Sequence, residues 1–166
     1  SYVPTVQPGI ADAVSVSAST FGQYNDISVA CAVTLQHHAY CWGYGGAGQF
    51  GKGQIGQVVL LGLYSNAGAP VQASEPPGVG YTDVVTSGVH TCLIGTNTHL
   101  YCTGDNTYGQ LGIGLPTTAT LVPTEVTLAD GTPLTGVTRV GLTYSASCAV
   151  ANGDVYCWGD NYLGQL

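Results

Sequence analysis

Positive charge is almost absent from this chain. Lys52 and Arg139 stand against nine carboxylates, for a net charge of −7 over 166 residues. A nucleic-acid partner requires Lys and Arg to neutralise phosphates, so that class is excluded, and an anionic membrane surface is an equally poor match. Charged residues make up 7% of the chain, far below the roughly 25% of ordinary globular proteins. Gly, Ser, Thr and Tyr take their place, so the surface is neutral and polar, and weak charge repulsion permits self-association. Methionine is missing altogether, even at position 1, so the chain reads as processed or cut from a longer one. There is no basic-then-apolar leader and no long apolar run, so no membrane span is expected. Helical periodicity is missing too. No Asn-X-Ser/Thr acceptor occurs, because Asn97 and Asn106 have their Thr one place too early. Thr117, Thr118 and Thr120 beside Pro116 form a candidate O-glycosylated loop on composition alone.

What is present is clearest in the last twenty residues, SCAVANGDVYCWGDNYLGQL. Asn152-Gly153 is a strong hairpin signal, since a type I′ turn needs positive φ at both central residues. Pairing outward from that turn sets Ala151 against Asp154, Val150 against Val155, Ala149 against Tyr156 and Cys148 against Cys157. The two cysteines then face each other at a non-hydrogen-bonded position, where Cα atoms approach to about 4.5 Å. That is near the short limit of what a disulfide tolerates. Cys31 with Cys41 and Cys92 with Cys102 repeat the arrangement with one more residue between them. Three such pairs predict disulfides and an oxidising compartment. The alternatives are zinc ligands, whose usual signature has two residues between thiolates rather than eight or nine, and free buried cysteines.

Along the chain, strand signals dominate. Val14, Val16 and Ala18 alternate with Ser15, Ser17 and Ser19 as in a half-buried strand, and Pro4 and Pro8 suit an edge. A first unit covers about 1–53 and includes the hairpin CAVTLQHHAYC, then Trp42-Gly43 and the GQFG of Gly48 to Gly51. Residues 54–70 read as an insertion centred on VVLLGLY, with Val58, Val59, Leu60, Leu61, Leu63 and Tyr64 forming either a buried strand or a surface that docks on a neighbour. A second unit covers about 71–114, with Thr103 where the other copies have Trp, and a third about 122–166. Cys41 and Cys102 lie 61 positions apart and Cys102 and Cys157 lie 55. Repeats of that period indicate a propeller or an array of one supersecondary unit.

The order Gly88-Val-His-Thr-Cys92, hairpin, Tyr101-Cys102, Gly104-Asp-Asn, Gly109-Gln-Leu-Gly112 resembles the repeat of the regulator of chromosome condensation family, and CAVANGDVYCWGDNYLGQL resembles it more closely still. The resemblance covers most of the chain in about three copies, and it implies an all-β fold in which each copy is one antiparallel blade of a β-propeller. The family ring has seven four-stranded blades, and four is the usual minimum for closure. Three copies therefore imply an incomplete or open propeller. The nucleotide-exchange and chromatin roles of one family branch belong to loops with no counterpart here. Secreted bacterial members include an inhibitor that binds β-lactamases through one propeller face, and the expected disulfides point to that extracellular side.

No residue stands out as catalytic, cofactor-binding or metal-binding. His37 and His38 are neighbours at a hairpin tip and point to opposite faces, so they read as exposed tip residues. His90 reads as a hydrogen-bonding anchor of a turn, and nothing marks His99. Asp105-Asn106 and Asp160-Asn161 recur at equivalent positions and are explained by turns in which each side chain binds its own backbone. Calcium would need more oxygens than they offer. Neither a phosphate loop, a nucleophile elbow nor an acid–base carboxylate pair is present. No enzymatic activity and no cofactor are expected.

The two ends complement each other. The last copy stops at Gly164-Gln165-Leu166, where the second continues to a proline-led strand, and Tyr2-Val3-Pro4-Thr5-Val6 resembles such a strand. Tyr2, Val3, Val6 and Leu166, with the Val58 to Tyr64 run, are therefore the interface candidates. The leading expectation is a secreted structural protein that self-associates head to tail by strand complementation, as filament or ring. The alternative is a fragment of a secreted binding propeller, an inhibitor, adhesin or lectin-like module whose partner is another extracellular protein.

Overall fold

A computed structural model describes residues 3–21, 27–52, 66–114, 118–164 and 166. Eleven strands and no helix occur among the described residues. The first sheet holds β1 (Ala13–Phe21), β2 (Ile27–Thr34), β3 (Ala39–Tyr44) and β4 (Asn66–Gln72) in sequence order. The second holds β5 (Tyr81–Thr86), β6 (His90–Gly95), β7 (Leu100–Gly104) and β8 (Thr120–Glu125). The third is a three-stranded meander of β9 (Val137–Leu142), β10 (Ala146–Ala151) and β11 (Asp154–Gly159). All neighbours are antiparallel.

The hairpins follow from their turn residues. Asn152 and Gly153 both have positive φ, 53° and 92°, and β10 pairs with β11 in the register that this turn dictates, Cys148 against Cys157 included. The longer loops place His37 and Thr98, each at φ 65°, as the left-handed residue that closes the turn. Three disulfides result, Cys31–Cys41, Cys92–Cys102 and Cys148–Cys157, with Cα atoms 4.1 to 4.2 Å apart.

The sheets divide the chain differently from the spacing of the repeats. Thr120–Glu125, which straddles the expected start of the third unit, hydrogen-bonds to β7 as the outer strand of the second sheet. Asn66–Pro70, at the end of the expected insertion, belongs to β4. In both outer strands a proline, Pro123 or Pro70, lies where the register shifts, opposite Thr103 or Trp42. Pro has no N–H to donate, and an irregular outer strand is where a sheet tolerates it.

The sheets stack as consecutive blades with two apolar cores between them. Val29, Cys31, Val33, Ala39 and Cys41 of the first meet Tyr81, Val84, Leu93 and Tyr101 of the second, with Phe50 among them. Cys92, Ile94, Leu100 and Cys102 on the opposite face of the second meet Val137, Ala149 and Ala151 of the third, around Leu111. Burying a side chain such as Phe50 or Leu111 stabilises by roughly 1.5–3 kcal/mol.

Candidate functional site

The polar groups that could carry chemistry gather at the seams between blades, where the loop after each third strand inserts into the next blade. In the second blade this loop is Asp105 to Gly112. Asn106 Oδ1 accepts from Leu111 N–H at 3.0 Å, and Gln110 Oε1 accepts from Tyr108 N–H at 2.9 Å, so two side chains fold the loop on itself. Asp105 Oδ2 accepts from Gln110 Nε2 at 2.8 Å. The loop then presents Gln110 O to the third blade, where Trp158 Nε1 and Ser147 Oγ donate to it at 2.9 and 2.7 Å. Leu111, fully buried, fills the core beneath. The first blade uses the equivalent loop with different bonds. Gln49 Nε2 donates to Gly88 O, Phe50 is buried, and Thr103, standing where the other copies have Trp, donates from Oγ1 to Gly48 O at 3.0 Å.

His90 completes the second seam. It is wholly buried at the start of β6, between Ser87 Oγ at 2.7 Å from Nδ1 and Ser147 Oγ at 2.9 Å from Nε2. Because Ser147 gives its proton to Gln110 O, its oxygen accepts from Nε2–H. Nδ1 is then the bare acceptor for the Ser87 hydroxyl. Burial lowers the His90 pKa to about 4, against a smaller upward pull from Asp105. A neutral imidazole engaged at both nitrogens is a tether, not a base waiting for a substrate.

The other histidines also hold structure. His37 is an exposed tip residue, yet its ring contacts Tyr81 O at 3.1 Å and its carbonyl accepts from Tyr81 N–H, joining the first hairpin to the second blade. His38 pairs with Glu75 at 2.7 Å and His99 with Glu125 at 2.6 Å, each linking a hairpin to the segment at or just beyond its outer strand. Nothing in the local sequence marks these partners, which lie 37 and 26 residues away. Asp105 and Asp160 accept from Thr107 and Tyr162 backbone N–H within their own turns. Among the described residues no group of three His, Cys, Asp or Glu could hold a metal ion. Tyr2 and the Val58 to Tyr64 run lie outside the described residues. Val3, Val6 and Leu166 are exposed, by 68%, 90% and 45%.

The repeat and the blade fold are matched by known proteins. A regulator of chromosome condensation (RCC1) repeat model matches residues 98–150, and a second RCC1 repeat model matches 137–165. The chain superposes on human WBSCR16 with a TM-score of 0.69 at 22% identity, covering 93% of this chain and 34% of that one. On yeast RCC1 (Prp20), solved bound to Kap60, the TM-score is 0.63 at 22% identity, covering 80% and 30%. The chain is built of RCC1-like propeller blades. Among curated relatives, Protein RCC2 homolog of Xenopus laevis is 28% identical over 134 residues, 81% of this chain and 24% of that protein. Probable E3 ubiquitin-protein ligase HERC6 of Homo sapiens is 25% identical over 135 residues, 81% of this chain and 12% of that protein. The chain thus spans a quarter or less of these relatives and about a third of the solved chains. In these RCC1-like blades the Gly-Gln-Leu and Gly-Gln-Phe loops are the plugs, and Trp158 or Thr103 marks the receiving side.

Proposed function

We propose that this chain is a non-enzymatic, secreted protein-binding module that joins a second copy of itself head to tail by strand addition. The observation that carries this reading is how the two four-stranded sheets are completed: each adds a proline-bearing outer strand, β4 or β8, to its disulfide hairpin. Unpaired strand edges are templates for another strand. Pro4 to Val6 has the proline-led pattern of Val122 to Val126 and lies exposed outside any strand. The three disulfides support an oxidising, extracellular setting. The non-enzymatic reading is supported by His90, whose ring nitrogens are both engaged by hydroxyls.

The test is the mass of the native chain against concentration, with and without residues 1–8. Concentration-dependent multimers that the deletion weakens support strand addition; a strict monomer overturns it. A second reading, in which the chain is three blades of a longer extracellular binding propeller, is favoured by the greater length of its relatives. Further copies of the repeat in the same reading frame would decide for it.

A further inference from the structure

Asn152-Gly153 shapes the third hairpin, and the same two residues carry a reaction. Of the six asparagines in the chain, Asn152 alone precedes a glycine; the others precede Asp26, Ala67, Thr98, Thr107 and Tyr162. The backbone nitrogen that follows an asparagine can attack the side-chain amide carbon, and a side chain on that following residue shields it. Gly153 has none, and a Cβ placed there meets nothing within 4 Å, so the peptide is open to solvent. Both residues are exposed, at φ 53° and 92°. This exposure belongs to the hairpin tip itself. His37 and Thr98, at the tips of the first two hairpins, are exposed even though the following blade hydrogen-bonds to their carbonyls. Other asparagines are held on both sides or buried. Asn97 Nδ2 donates to Tyr101 Oη while its Oδ1 accepts from His99 N–H, and Asn106 is wholly buried with Oδ1 on Leu111 N–H.

Asn152 is restrained from one side only. Its Nδ2 donates to Thr135 O at 3.0 Å, and its backbone N–H donates to Gly136 O at 3.1 Å. The second blade binds the same segment. Gly136 N–H donates to Thr98 Oγ1 at 3.2 Å, and Val137 N–H to Thr98 O at 3.0 Å. Thr135 to Val137 is thus a joint to which the hairpin tips of the second and third blades are both tied. Breaking one neutral hydrogen bond slows a reaction by about two- to tenfold, not by orders of magnitude.

We propose that Asn152 is a self-modifying site: its side chain deamidates spontaneously in the folded chain, with water as the co-reactant, and the change loosens the joint between the second and third blades. The Gly153 nitrogen gives its proton to solvent and bonds to Asn152 Cγ. The Cγ–Nδ2 bond breaks, and Nδ2 takes a proton from solvent and leaves as ammonia. Water then opens the cyclic imide. Cleavage of its Cγ–N bond leaves aspartate; cleavage of its backbone C–N bond leaves isoaspartate, whose main chain runs through Cβ and Cγ. Nothing is oxidised or reduced. Both products lose the Nδ2–H that Thr135 O accepts and gain a negative charge. Isoaspartate also lengthens a turn whose pairing register depends on having two residues.

The test incubates the native 166-residue chain at mildly alkaline pH, beside the same chain unfolded in denaturant with its disulfides intact, and follows peptide masses. Asn152 should exchange its amide for a carboxyl before any other asparagine, giving aspartate and isoaspartate together. Its rate should lie about two- to tenfold below that in the unfolded chain. Asp130-Gly131 can form isoaspartate without a change of mass, so the product is located by the peptide whose mass changes. Asn152→Gln, which needs a larger ring, should not convert. Asn152→Asp, the product without the lengthened turn, should lower the folding equilibrium constant by about two- to tenfold and speed amide exchange at Val137. A native chain that stays unconverted while the unfolded chain converts means that the Thr135 bond protects Asn152, and the proposal falls. Unchanged unfolding and Val137 exchange in Asn152→Asp would overturn the loosening of the joint. Neither outcome depends on whether the chain self-associates.

Discussion

His90 Nε2 lies 2.9 Å from Ser147 Oγ, a hydrogen bond that crosses from the second blade to the third. It places a neutral imidazole at the centre of a seam, with Ser147 passing the connection on to Gln110 O. Removing the acceptor leaves a buried N–H without a partner. Ser147→Ala should therefore destabilise the chain by about 1–3 kcal/mol in denaturant unfolding.

The same pair predicts a pH dependence. The folded His90 pKa lies near 4, below its ordinary 6.5, so between these values the unfolded chain binds more protons than the folded one. Stability is then fully present above pH 6.5 and is lost as pH falls through that window toward 4. In His90→Gln this component should vanish. Unfolding midpoints from pH 7.5 to 4 in the two proteins give the difference directly: its slope should be positive with pH, and parallel curves would refute it.

Leu111 and Leu166 occupy the same place in their repeats but not the same environment. Leu111→Ala empties a filled site between two blades and should cost about 2–5 kcal/mol. Leu166→Ala, at an exposed position, should leave the unfolding midpoint of a dilute chain nearly unchanged.

Gly109 and Gly112 both have positive φ, 79° and 66°, but differ in what a methyl group would meet. At Gly109 nothing lies within 4 Å, so Gly109→Ala should cost only the left-handed backbone penalty of about 1–2 kcal/mol. At Gly112 the new Cβ would lie 2.6 Å from Trp158 Nε1. Gly112→Ala should be the more damaging, and the Trp158 fluorescence should shift with it. Equal losses at the two sites would argue against the seam geometry.

The three bridges should also separate under mild reduction. In the dilute 166-residue chain Cys157 is exposed, while the other two bridges are covered by the next blade. Alkylation and peptide mass analysis during stepwise reduction should find Cys148 and Cys157 labelled first.

The hairpins were legible in the residues because turn and register are short-range properties. Asn152-Gly153 sets the pairing, and the pairing brings Cys148 to Cys157. The recurrence of Trp or Thr after the second cysteine, and of Gly-Gln-Leu or Gly-Gln-Phe after that, carried the blade repeat. What the residues alone did not show was the use of those motifs. Thr120–Glu125 closes the second blade rather than opening the third because β7 offers the edge it pairs with, a contact decided across the sheet.

Sequence by itself determined the strand hairpins, the covalent rungs and the family likeness, since each is carried by residues within a single repeat. Only the tertiary structure decided which face of each blade is covered, why His90 and Gln110 are buried, and why Cys148–Cys157 differs from its two counterparts. Every blade presents the same alternation of side chains, and alternation distinguishes two faces without saying which neighbour each will meet. Stacking breaks that equivalence, because a blade buries only the face against which another blade is packed.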